Sequence, residues 1–157
     1  IQEFIRGTGE LKQKIYKHYL NLLHEKIAML QKVLDDLKES GANETKSTAG
    51  DKHETALAML QIEQANTRAQ LQEVLNQQAA LEKINPELSA EMVLNGSLVK
   101  TDRGYFFVSI ALGKAMVDGI AVIALSPQSP LGQKMMGLSV GEVASVNNTS
   151  YRIISID

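Results

Sequence analysis

Residues 41–56 read Gly41-Ala42-Asn43-Glu44-Thr45-Lys46-Ser47-Thr48-Ala49-Gly50-Asp51-Lys52-His53-Glu54-Thr55-Ala56, and a long amphipathic segment runs into each end of them. Two glycines and a cluster of small hydroxylated residues break one helix and cap the next. The same stretch carries the carboxylates of Glu44, Asp51 and Glu54. This is the pattern of a helical hairpin whose tip is the working end.

Outward from the tip, the segment before it spaces Tyr16, Leu20, Leu23, Ile27, Leu30, Leu34 and Leu37 in alternating steps of four and three, the seam of a coiled coil. Neither proline nor glycine interrupts it until Ser40-Gly41 supplies a stop signal. The segment after the tip places Leu57, Leu60, Gln64, Thr67, Leu71, Val74, Gln78 and Leu81 on its seam, and Asn85-Pro86 ends it near residue 84. Residues 11–84 therefore read as an antiparallel hairpin. About thirty residues per helix, at about 1.5 Å each, give an arm of roughly 45 Å. The seam alone would serve a dimerisation arm equally well.

Residues 1–10 match neither this periodicity nor a motif, and are expected to be frayed or a cloning remnant. After Pro86 the glutamine- and alanine-rich helix gives way to short β-branched runs. Strands are expected at 92–100, 104–111, 119–125, 141–146 and 150–156. Residues 129–137 read as a short helix, with Ser129 as N-cap, Pro130 in the first turn and Gly137 as terminator. Residues 89–157 are enough for a small core of their own and are expected to fold alone. The fold class is α+β: a coiled-coil hairpin followed by a small β-rich domain.

With 157 residues, 44% of them hydrophobic, the chain suits one ordinary domain or two small modules. A net charge of −2 argues against a polyelectrolyte-type nucleic-acid binder. The lack of cysteine excludes disulfides, thiolate catalysis and cysteine-ligated zinc. No apolar run approaches the roughly 20 residues of a membrane span, and no signal peptide is recognised. A cytoplasmic protein is expected. His18 and His24 lie on different helix faces and cannot share a metal, and no serine sits on a nucleophile turn. Met135-Met136 reads as core packing.

Charge along the hairpin is uneven. Lys12, Lys14, Lys17, Lys26 and Lys32 mark a basic root, whereas Asp35, Asp36, Glu39, Glu44, Asp51 and Glu54 outweigh the lysines near the tip. Asp51 and Glu54, three apart at a helix start, share a face and can share a divalent cation, with water completing its shell. Two carboxylates hold magnesium poorly, so such a site needs ligands from another protein. The same residues would also complement the dipole at the second helix's N-terminus.

Gly50-Asp51-x-x-Glu54 at the tip of a coiled-coil hairpin, followed by a small β module, resembles the Gre family of bacterial transcript-cleavage factors. The most specific stretch is Ile123-Ala124-Leu125-Ser126, then Ser129-Pro130-Leu131-Gly132-x-x-Met135-Met136-Gly137-x-x-Val140-Gly141-Glu142. It is similar to the family's serine-proline, short helix, glycine, valine-glycine-acidic signature, and the resemblance runs over residues 11–157. Thr55 stands where the family usually has asparagine. Leu57 and Ala58 stand where it usually has an acidic residue and a tyrosine, Leu138 replaces its lysine, and the loop before the tip is longer.

The resemblance implies an FKBP-like second module that docks on bacterial RNA polymerase at the rim of the secondary channel, with Ser129, Pro130, Leu131, Gly132 and Gly137 in the docking segment. It implies that the hairpin enters the channel. There Asp51 and Glu54, with Glu44 as a further candidate, would help hold a Mg²⁺ and a water at the polymerase's own active site, a two-metal hydrolysis. The factor would be a monomer with no catalysis and no stably bound cofactor of its own, and would meet nascent RNA indirectly. Two other readings stay open: a channel-binding modulator without cleavage, and a coiled-coil adaptor or chaperone with an FKBP-like head.

Overall fold

The computed structural model describes residues 2–46 and 51–157, with side chains described for 9–42 and 54–157. Two compact units result: Ile1–Leu20 together with Ala79–Asp157, and Asn21–Gln78. Parts of two helices supply the second unit, α1 (Gln2–Lys46) and α2 (Asp51–Glu82).

The first helix takes in most of residues 1–10 and also continues through Ser40-Gly41, the expected stop. A glycine inside a helix costs only about 1 kcal/mol relative to alanine, which a long paired helix absorbs. The bare position also has a neighbour, since a Cβ on Gly41 would lie 3.7 Å from Gln64 Nε2. That amide donates to Leu37 O at 3.3 Å. Within the other unit Tyr16 lies in the field of Glu82. Early residues of α1 thus meet late residues of α2, and the pair is an antiparallel hairpin.

The expected seams are the covered ones. Leu23, Leu30 and Leu34 are buried on α1, and all eight seam positions of α2 are buried or half-buried. The polar ones are accommodated. Thr67 is buried and donates its hydroxyl to Glu63 O at 2.8 Å, so no unsatisfied group enters the seam.

The other unit holds the strands β1 (Leu98–Thr101), β2 (Gly104–Val108), β3 (Gly113–Val117), β4 (Ile120–Leu125), β5 (Val143–Val146) and β6 (Thr149–Ile156), with α3 (Pro130–Met135) between β4 and β5. They form one sheet in the order β3-β4-β2-β1-β6-β5, antiparallel except for the parallel pair β2–β4. The expected strand at 92–100 shrinks to β1. Gly96, at φ 98°, turns the chain before Leu98, and Met92 forms only an isolated bridge to Ser139. The run expected at 104–111 ends at Val108, and β3 was not foreseen at all. Its hairpin to β4 turns on Asp118-Gly119, both at positive φ, as the tight turn there requires.

Alternation along the strands divides the core in two. On one face Val99, Phe106, Val108, Leu125, Ala144 and Ile153 cluster with Val93 and with Met135 of α3. Leu98, Phe107, Val122 and Ala124 point to the other face and are also buried. Their cover comes from the part of α1 that carries Ile15 and Tyr19. The Tyr19 ring stacks on Phe107 at 6.3 Å between centroids, and its hydroxyl donates to Gly113 O at 2.7 Å. Ile15 is fully buried on the same stripe, one turn earlier. The root of α1 is therefore part of the β unit's core.

Candidate functional site

The Ser-Pro segment builds a rigid corner. Ser129 caps α3: its Oγ accepts from Gly132 N at 3.0 Å and donates to Ser126 O at 2.6 Å. Pro130 fills the first helical position, where a missing N–H costs nothing. Ser126 Oγ in turn accepts from Gln128 N at 3.1 Å. Gly132 is required by space rather than by backbone angle. A Cβ there would run into Ser126 O and lie 2.8 Å from Ser129 Oγ. Because the obstacle is a backbone oxygen already engaged by the cap, Gly132→Ala is expected to destabilise the β unit by about 1–3 kcal/mol, read as a lower urea midpoint.

Downstream, Gly137 at φ 82° ends the helix and donates to Val93 O at 2.8 Å, and Val93 N returns a bond to Leu138 O at 2.9 Å. Glu142 Oε1 accepts from Ser139 N at 2.8 Å, closing the turn before β5. Leu131 and Met135 pack into the core. What the segment presents outward is Pro130, Gln133, Lys134 and Gly137, followed by Val140 at 58% exposure. Met92, also exposed, lies across its bridge from Ser139. An open depression of about 540 Å³ adjoins them, lined by Ser89, Ala90, Glu91, Ser139, Val140 and Ile156. Of the five expected docking residues, then, Pro130 and Gly137 are at the surface, whereas Ser129, Leu131 and Gly132 hold the corner in shape. Met92 and the 89–91 segment were not anticipated, since nothing in their spacing ties them to residues fifty positions later.

At the other candidate site, Asp51 and Glu54 both lie on α2 (Asp51–Glu82), three residues apart at the hairpin end of its described range. Glu54 is exposed. The side chains of Glu44 and Asp51 and residues 47–50 lie outside the described residues. Among the described residues no group of three or more histidine, aspartate or glutamate side chains is placed to hold a metal ion.

No family model matches the chain, and no curated protein matches it. Solved structures do. One is described as the crystal structure of GreA factor homolog 1 (Gfh1) protein of Thermus thermophilus, with 20% identity over 92% of this chain and 93% of that one and a TM-score of 0.33. The chain is similar to a Gre-factor homologue. A further solved structure, described as that of the transcription factor Gfh1, has 19% identity, covers 93% of both chains and gives the same TM-score of 0.33.

Proposed function

We propose that this chain is a Gre-type transcription elongation factor. It binds bacterial RNA polymerase, passes its helical hairpin into the secondary channel, and stimulates cleavage of backtracked RNA. The observation that carries this reading is the placing of Asp51 and Glu54 three residues apart on one helix, at the hairpin end of the long paired α2. Carboxylate oxygens are the hard donors that Mg²⁺ takes, and it keeps several waters when so few are offered. Asp51 and Glu54 fit one edge of such a shell, with the polymerase supplying the rest. The ion would polarise the scissile phosphate and lower the pKa of an attacking water. This chain's own part is to deliver charge at the end of a stiff arm; it carries no nuclease of its own.

Docking is assigned to the β unit, through the surface of Pro130, Gly137 and Val140 beside the depression that Ser89 and Ile156 line. The FKBP-like module has a binding role here and acts as a monomer. No described helix is long and apolar enough to cross a membrane, in keeping with a partner in the cytoplasm.

A second reading rests on Thr55, Leu57 and Ala58. They replace the polar and acidic neighbours usual beside the tip carboxylates, which favours a channel-binding modulator that does not promote cleavage. One experiment separates the two: adding the protein to a stalled, backtracked elongation complex in Mg²⁺. Shortened RNA identifies the cleavage factor. Bound protein with intact RNA identifies the modulator, and absence of binding defeats both.

A further inference from the structure

A cavity of about 410 Å³ lies in the β unit between the root of α1 and the connection from α2 to β1, lined by residues including Lys12, Lys83, Asn85, Ser89, Asn95 and Ser97. Its volume is in the range of small-ligand sites, about 300–1,000 Å³. No carboxylate is among its described lining residues. Lys12 is only 2% exposed, an unusual place for an ammonium group. Its Nζ donates to Leu88 O at 2.6 Å, and Leu88 also lines the cavity. An ammonium has three hydrogens to give, and that is the one bond shown for it. Asn85 also lines the cavity, and because its Oδ1 accepts from Glu87 N at 3.0 Å, its NH₂ is the group with hydrogens left to donate. Lys83 adds a second cation at the exposed rim.

We propose that this cavity is a binding site for a small phosphate-bearing anion, held between Lys12 on one side and Lys83 and the Asn85 amide on the other. Two ammonium groups and an amide NH₂ match the charge and the several acceptor oxygens of a phosphate dianion better than those of a carboxylate. Burial holds the Lys12 amine below the ordinary lysine range, with the Asp157 charge opposing that shift in part. Burial also pushes the Asp157 carboxyl up, with the Lys12 charge opposing that shift. An arriving dianion would offer acceptors to the Lys12 hydrogens that the bond to Leu88 O does not use. It would also tie the root of α1 to the 83–97 segment. This site is separate from the hairpin tip and does not depend on the polymerase reading.

The test is titration of the full chain with inorganic phosphate, followed through amide chemical shifts and melting temperature, with acetate and sodium chloride at matched ionic strength as parallel arms. Saturable shifts at Asn85, Asn95 and Gly96 with phosphate, and a rise in melting temperature beyond that in chloride, are expected. Lys83→Ala with Asn85→Ala, both at exposed positions, should weaken binding by about tenfold or more, since hydrogen bonds to charged groups are worth about 1.5–3 kcal/mol. Lys12→Met should abolish it, with the spectrum showing whether the fold is kept. Shifts no different from chloride overturn the site, as does an unchanged affinity in the Lys83/Asn85 double variant. A preference for acetate overturns the phosphate assignment.

Discussion

Asp51→Asn combined with Glu54→Gln should leave binding to RNA polymerase in place while RNA cleavage in a backtracked complex falls by about a hundredfold or more. Both replacements keep side-chain size and most hydrogen-bonding capacity, and remove only the charge that a hard cation needs. Metal stabilisation of a phosphoryl transition state is worth several kcal/mol, and each 1.36 kcal/mol is about tenfold in rate. Docking, by contrast, is proposed for a surface on the β unit, whereas both residues belong to α2. The decisive comparison is cleavage rate against binding affinity for the same variant. Equal cleavage by variant and wild type would reduce Asp51 and Glu54 to residues that complement the start of α2. A parallel loss of binding would instead make the tip a docking element.

Tyr19→Ala is expected to be the most damaging single change in the β unit. Tyr19 is fully buried, stacks on Phe107 and donates to Gly113 O. Removing a large buried aromatic side chain costs about 3–5 kcal/mol, against a total stability of about 5–15 kcal/mol for a domain of ordinary size. Tyr19→Phe keeps the ring and loses only the hydroxyl, so it should cost about 1 kcal/mol. Urea unfolding monitored by tyrosine fluorescence orders the three proteins. The same reasoning bears on a fragment beginning at Ser89. It retains every strand but lacks Ile15 and Tyr19, and so uncovers Leu98, Phe107, Val122 and Ala124 on one face of the sheet. A fragment that melts as high as the whole chain would show that the root of α1 contributes little.

Sequence periodicity was informative where one surface governs the pattern. The seams of both helices repeat every three or four residues because each mainly faces the other, and their covered positions are the expected ones. It failed where two surfaces compete. Near its root α1 shows Tyr16 to α2, Ile15 and Tyr19 to the sheet and Lys12 to the segment before β1, and a reading that follows one seam passes over the others. Lys12 was doubly hidden, because a lysine counts as solvated until its burial is seen. The edge strand β3 was missed for a related reason. Only Val117 of its five residues is buried, so it lacks the apolar alternation that marks a strand, although Asp118-Gly119 is a strong hairpin signal. The corner at Ser129 was legible because capping is local chemistry, written in consecutive residues. The tip carboxylates are legible as residue types and spacing, but their chemistry depends on ligands that another protein contributes.

The bond from Tyr19 to the backbone of Gly113 joins residues 94 apart in sequence, and this has a consequence for how the chain is made. At a synthesis rate of about 5–20 residues per second, the first helix waits roughly five to twenty seconds for the strands that will cover it. During that interval α2 is the only partner within reach, and it covers the Leu23–Leu30–Leu34 side rather than Ile15 and Tyr19. The apolar stripe at the root stays open until β2 and β4 have paired side by side, a parallel contact that local hairpin formation cannot supply. Nascent chains halted between residues 85 and 125 would therefore be the sticky ones, with a finished arm and an uncovered base.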